Sequence, residues 1–384
     1  VADVDFPTRN PKSGGVAVEY CHASRGDSGG HEALTHSAIS RKLGMLRGYT
    51  FSGQYDASAD YAGPLYFIPD DTIAGLDHAR SLGIFSEHDL FGGVVPWPFV
   101  ATKAISHSLV HPGASAPQGW SAQFGDMVRD AVLPGYTVFT AEDARQACSR
   151  LLERGPARLK AVRARGGHGQ TVISGMAELE AALADIEPAE LAAHGLVVEE
   201  NLRDVTTHSV GQVRVGDLVA TYYGTQRLTR DNDGKQVYGG TDLVAVPGGF
   251  DRLLTLGLPR AVHDAVVQAC HFDAAAEACF PGIILSRRNY DVAQGTGPDG
   301  LRRSGVLEQS WRLGGATGAE VAALEIFRTE PGVKAVHAAC FEAYGEDCEP
   351  PADATVYFQG HDPKAGPLTK YTVAKIDRNG REGP

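Results

Sequence analysis

The alternation of apolar and polar residues divides the chain into short strand and helix patterns. Residues 16–20 (VAVEY) read as a strand, and residues 32–46 place Ala33, Leu34, Ile39, Leu43 and Leu46 at helical spacing. Two more strands are expected over 49–53 and 65–68. Thr72 stands where it would cap a helix that ends at Gly83. This β/α order predicts a small open α/β unit over residues 16–95. Pro96 and Pro98 then stiffen a connector and mark a boundary.

Beyond the boundary, Thr102 opens an expected helix that contains Lys103 and stops before Pro112 and Gly113. A helix over 142–153, a strand over 157–162, a strand over 170–174 and a helix over 176–186 follow. Residues 195–200 (GLVVEE) form an apolar strand that ends in acids. A hairpin is expected about Gly216 and Asp217, a turn at 231–234 (DNDG), and helices over 261–279 and 317–328. Glu320 sits in the first turn of the last of these, a favourable end for a carboxylate. The remaining residues are expected to form one helix and then strands over 355–359 and 370–376. No internal repeat or low-complexity tract interrupts this order.

At 384 residues the chain exceeds the usual size of one core, so two or three domains are expected. The net charge of −12 argues against a nucleic-acid partner, which would need a basic surface. No apolar run approaches the roughly 20 residues of a membrane span, and the amino end carries no apolar signal region. Six cysteines without a C-x-x-C pair make a zinc ribbon or a disulfide framework an unlikely design and fit the cytoplasm.

Several short motifs are decoys. Residues 26–30 (GDSGG) spell the nucleophile motif of trypsin-like peptidases, but the downstream β/α pattern contradicts an all-β enzyme. His31, Glu32 and His36 have an i, i+5 histidine spacing that does not place both rings on one helix face, so a polar helix start is expected. Gly295, Gly297 and Gly300 fit a dinucleotide pattern, yet a strand follows, and Pro298-Asp299-Gly300 is a tight turn.

The densest chemistry lies in residues 286–315, SRRNYDVAQGTGPDGLRRSGVLEQSWRLGG. It reads as two strands about that turn. Arg287, Arg288, Asn289 and Asp291 fall on the first strand, and Glu308, Ser310 and Arg312 on or just after the second. Acids and arginines at this density are costly to bury without a purpose. Two carboxylates on neighbouring strands suit a hard cation such as Mg²⁺, and guanidinium groups suit phosphate or carboxylate. Upstream, Lys160 precedes the glycine-rich loop RARGGHG, whose backbone N–H groups could approach phosphate oxygens.

Taken in order, Lys103 in ATKAISHSLV, Lys160 in RLKAVRARGGHGQTV, the hinge Glu199-Glu200-Asn201-Leu202, Asp291, and Glu308-Gln309-Ser310 resemble the ATP-grasp superfamily of carboxylate–amine ligases. The resemblance covers about residues 65–325. It extends to an uncharacterised bacterial family within that superfamily through YFIPDDT, DLFGGVVP, SRRNYDVAQG and LEQSWRLGGA.

The resemblance implies an α/β (α+β) ATP-grasp fold behind an amino-terminal open α/β domain. It implies a division into residues 1–97, a first ATP-grasp subdomain over 98–190, a second over 191–330, and an extension over 331–384 that packs on them. ATP and Mg²⁺, with Mn²⁺ as an alternative metal, are the implied cofactors. Lys103, Lys160, Gly166, Gly167, His168, Gly169, Glu199, Glu200, Asn201 and Leu202 would bind the nucleotide. Asp291, Glu308 and Ser310 would bind the metal, and Arg312 and Arg288 would act in catalysis.

Small-molecule carboxylate and amine substrates are the implied partners, with a homodimer as the expected association. They would enter past residues 22–31 and over 238–242. Two departures stand out. Ser310 occupies a position usually held by Asn, and residues 205–208 lack the Glu that often binds ribose. A nucleotide-binding regulatory protein and a kinase are the alternative readings.

Overall fold

The computed structural model describes residues 14–21, 30–163 and 169–377. At the amino end, β1 (Val16–Tyr20), α1 (His31–Arg47), β2 (Thr50–Gln54) and β3 (Leu65–Pro69) follow in order. The three strands form a parallel sheet with β1 in the middle, as the β/α order requires. Next come β4 (Ile73–Ala74), α2 (Leu76–Ser81) and β5 (Gly93–Val95). Thr72 does not cap α2. The helix starts one residue after Gly75, and the Thr72 hydroxyl donates to the carbonyl of Trp311 at 3.3 Å.

The expected helix around Lys103 is two short 3₁₀ turns, Pro98–Ala101 and Lys103–Ser106, with the Thr102 hydroxyl accepting from Ala104 N–H. After them His107 is extended, and Leu109 bridges in parallel to Thr137. That long-range pairing competes with the helix for the same backbone groups. The chain continues through α3 (Ala122–Met127), β6 (Gly135–Val138), α4 (Ala141–Leu152), β7 (Ala157–Ala161), β8 (Gln170–Ile173), α5 (Met176–Ala184), α6 (Pro188–His194) and β9 (Leu196–Glu200). These strands form a sheet of order β6-β9-β7-β8, so β9 joins the strands before it rather than those after.

The last part contains β10 (Arg203–Val215), β11 (Leu218–Arg230), β12 (Gln236–Pro247), α7 (Phe250–Leu254), α8 (Arg260–Cys279), β13 (Ile284–Leu285), β14 (Arg287–Thr296), β15 (Arg302–Ser310), α9 (Thr317–Thr329), β16 (Val336–Tyr344), β17 (Thr355–Asp362) and β18 (Gly366–Ile376). Eight of these strands build one antiparallel sheet, β15-β14-β10-β11-β12-β16-β18-β17. Where a carboxy-terminal helix is expected, β16 is a strand between β12 and β18. Its alanines favour a helix in isolation, but two ladder partners outweigh that weak local preference.

Helix α9 packs one face of this sheet with α1, in a core that includes Leu43, Tyr222, Leu324 and Phe327. Helix α8 covers the other face, its Phe272 buried in one core with Tyr290 and Trp311. Among the described residues no helix is long and apolar enough to cross a membrane.

Candidate functional site

A cleft of about 1000 Å³ runs between the four-stranded sheet, the eight-stranded sheet and α1. The period of two along β14 puts Arg287, Asn289, Asp291 and Ala293 on its cleft side. On β15 the pairing to β14 shifts between Asp291–Glu308 and Val292–Val306, leaving Leu307 as an extra residue. This bulge brings both Leu307 and Glu308 to the cleft and sets Glu308 directly across from Asp291.

The two carboxylates face each other across the ladder. Burial, and then the neighbouring charge of Glu308, push Asp291 up to about 6. Asn289 Nδ2 donates to Asp291 Oδ1 at 3.0 Å, and Ser209 Oγ donates to the same atom at 3.4 Å. Two facing acids that repel each other fit a divalent cation, which would relieve that repulsion. Mg²⁺ commonly takes one or two carboxylates and completes its shell with water and phosphate. Among the described residues no group of three or more His, Cys, Asp and Glu side chains is placed to hold a metal ion.

Lys103 and Lys160 both line this cleft and are both nearly buried. Lys103 Nζ lies 2.8 Å from Glu308 Oε2. Lys160 Nζ pairs with Glu199 Oε1, and His107 Nε2 lies 3.1 Å from Glu199 Oε2. Burial alone would raise the Glu199 carboxyl, but the Lys160 ammonium and His107 outweigh it and hold the group down at about 2. Glu199 therefore holds the lysine in place. His107 was not among the expected site residues, and no local motif marks it.

At the hinge, Glu200 is 4% exposed and lies 3.1 Å from Arg303 Nε. Burial pushes its carboxyl up. Asn201 Oδ1 accepts from Arg158 Nε and Nη2 at 3.1 and 2.7 Å. Leu202 packs with Leu133, Ala293 and Leu307 into a small apolar patch, and all four line the cleft. The Gly169 carbonyl accepts from Ala161 N–H at 2.9 Å. Gly166, Gly167 and His168 lie outside the described residues, as do residues 22–29 of the expected entry.

The two arginines part company. Arg312 lines the cleft, with Nε 3.6 Å from Asp71 Oδ1 and Nη1 donating to the Leu313 carbonyl. Arg288 points to the opposite face of β14. There it pairs with Asp273 at 3.0 Å and Glu277 at 2.5 Å on α8, away from the cleft. Strand alternation is the reason, and counting back by twos from Asp291 would have selected Arg287 instead.

Arg287 is 1% exposed and donates from Nη1 to the Ser310 carbonyl (3.0 Å), Ser310 Oγ (3.3 Å) and the Arg312 carbonyl. Its other nitrogens meet Glu320 of α9. That acid is a buried ion-pair partner rather than a solvent-facing helix end.

The far wall is α1 and the strands β12, β16 and β18. Residues 238–242, expected as a loop, belong to β12, and Tyr238 and Thr241 line the cleft. Gly315 leads into α9 so close to Tyr238 that a Cβ there would lie 2.6 Å from the ring. Across from them, His31 Nδ1 and Thr35 Oγ1, four residues apart on α1, are buried and have no hydrogen-bond partner among the described residues. Burial pushes the His31 imidazole below its usual range.

The family described as "Protein of unknown function (DUF3182)" matches residues 19–372. No curated protein sequence matches the chain. Among solved structures, N5-carboxyaminoimidazole synthetase from Staphylococcus aureus in complex with ADP is 12% identical, with 97% of this chain and 96% of that one covered and a TM-score of 0.56. The same enzyme without a named ligand gives 12% identity, 96% and 96% coverage and a TM-score of 0.53. Carboxyaminoimidazole ribonucleotide synthase from Aspergillus clavatus, in complex with ATP, is 11% identical over 94% of this chain and 93% of its own, with a TM-score of 0.50. At these identities the likeness speaks to architecture, and the architecture is the ATP-grasp fold.

Proposed function

The chain belongs to the DUF3182 family, and we propose that it is an ATP- and Mg²⁺-dependent ligase that activates a carboxylate for attack by an amine. One observation carries this reading. Asp291 and Glu308 face each other in register, in one cleft with two buried lysines and an apolar patch. That is a cation platform, two phosphate-binding charges and a surface for a flat base. The ADP and ATP bound by two of the structural neighbours support the same use of the cleft.

In this reading residues 98–190, together with β9, supply Lys103 and Lys160 to the α- and β-phosphates. The base rests on Leu133, Leu202, Ala293 and Leu307. Asp291 and Glu308 would hold Mg²⁺, which would neutralise phosphate charge when bound. The acid's carboxylate oxygen attacks the γ-phosphorus, the bond to the β-phosphate oxygen breaks, and ADP leaves. The amine then attacks the acyl carbon, phosphate departs with the bonding electrons, and the proton that the amine loses passes to that phosphate.

Arg312 and the amino end of α9, which has no side-chain cap, face the oxygens of the acyl phosphate. His31 Nδ1 and Thr35 Oγ1, without a hydrogen-bond partner among the described residues, would serve the substrates at the far wall.

The test begins with binding. A non-hydrolysable ATP analogue with Mg²⁺ should raise the melting temperature of the wild-type chain. ADP release on adding pooled carboxylic acids and amines should follow, and Glu308→Gln should abolish it while the far-ultraviolet circular dichroism stays unchanged. Unchanged release in that variant would sink the assignment. A stable phosphorylated acid formed without amine would indicate a kinase, and tight nucleotide binding without turnover a regulatory module.

A further inference from the structure

Each side chain of the cation platform already has a partner from this chain. Glu308 Oε2 is 2.8 Å from Lys103 Nζ, and the Lys103 side chain is only 7% exposed. Ser310 Oγ accepts from Arg287 Nη1, and that guanidinium is fixed at both ends. Nη1 also donates to the Ser310 carbonyl at 3.0 Å, while Nε and Nη2 donate to Glu320 at 2.9 and 2.8 Å. A cation at Glu308 must compete with an ammonium already there. A cation on Ser310 would sit beside a guanidinium that has no room to leave. Lys103 is different, because it lines the cleft in which the nucleotide phosphates would lie and can trade one anion for another.

We infer that Lys103 serves as a resident counter-ion that blocks the platform until nucleotide phosphates draw it off Glu308. Arg287 meanwhile keeps Ser310 out of the metal shell, so the cleft takes one divalent cation per chain, and takes it together with the nucleotide. This rests on the proposed nucleotide site. It goes further in fixing the order of binding and the cation count, and in giving Ser310 a structural partner in place of a metal. The energetic logic is exchange. Lys103 trades one carboxylate for phosphate, and the carboxylate it releases gains a cation that the same phosphates help to hold.

Mn²⁺ is the probe, followed by the loss of its free-ion electron paramagnetic resonance signal, with the share chelated by free nucleotide subtracted. Without nucleotide, the wild-type chain should bind Mn²⁺ weakly, and Lys103→Met should bind it at least about tenfold more tightly, a gain of about 1.4 kcal/mol. Lys103→Arg, which keeps the charge, should stay near wild type. With a non-hydrolysable ATP analogue, the wild type should saturate at one Mn²⁺.

Equal nucleotide-free affinity in wild type and Lys103→Met would overturn the inference, provided circular dichroism shows both folded. Two protein-bound Mn²⁺ per chain would also overturn it. The nucleotide-free comparison does not depend on the ligase reading. Failure of the ATP analogue to raise the wild-type melting temperature would instead remove that reading.

Discussion

Glu320 holds Arg287 at two points, Oε2 to Nε at 2.9 Å and Oε1 to Nη2 at 2.8 Å, and both side chains are almost fully buried. The Tyr222 hydroxyl rests against the same carboxylate at 2.5 Å. The pair ties α9 to β14, the strand that carries Asp291.

Removing one member strands the other. Arg287→Met should therefore cost about 3–5 kcal/mol, because Glu320 is left as a buried charge. The double variant Arg287→Met with Glu320→Leu should lose much less than the sum of the singles. Urea denaturation of all four forms measures this. A single-variant loss below about 1 kcal/mol would show that the pair is unimportant to the fold.

Asp291 gives a pH signature. Its ordinary value is 3.8, and burial with the charge of Glu308 raises it to about 6. The folded chain thus binds this proton more tightly than the unfolded chain, and stability from this group falls as pH rises from about 4 to 6. Asp291→Asn removes that penalty. At pH 8 the variant should be more stable than wild type by on the order of 3 kcal/mol, and the gap should narrow below pH 6 and close near pH 4. Thermal melts in a series of buffers would show it, and the same variant should lose Mn²⁺ binding.

Arg288 provides the contrast. Because it pairs with Asp273 and Glu277 on the far side of β14, Arg288→Met should lower stability by about 1–3 kcal/mol. Its affinity for the ATP analogue should stay within about twofold of wild type. Isothermal titration separates the two effects, and a tenfold loss of affinity would return Arg288 to the site.

Gly315 tests the approach of α9 to β12. A methyl group there would sit 2.6 Å from Tyr238, so Gly315→Ala should cost about 1–3 kcal/mol through overpacking. Adding Tyr238→Leu should recover most of that loss. If Gly315→Ala melts like wild type, the contact is looser than the geometry states.

Local pattern alone was enough for several parts of this protein. The strands of residues 286–315, the turn at Pro298-Asp299-Gly300 and the long helices α1, α8 and α9 follow from periodicity and turn chemistry, which act over a few residues. The two lysines, the two carboxylates and Arg312 were legible by their order, and all five line one cleft.

Other parts were decided only when distant segments met. Strand β16 is a strand because β12 and β18 flank it, and the turns around Lys103 are short because Leu109 pairs with Thr137. The choice between Arg287 and Arg288 depends on which face of β14 meets the cleft, and a shift of one residue exchanges the two. The partners of Lys103, Lys160 and Ser310 come from register and packing across more than one element. Spacing along a chain carries no record of such contacts, so the sequence determined which charged groups are present and the tertiary structure determined which of them face one another.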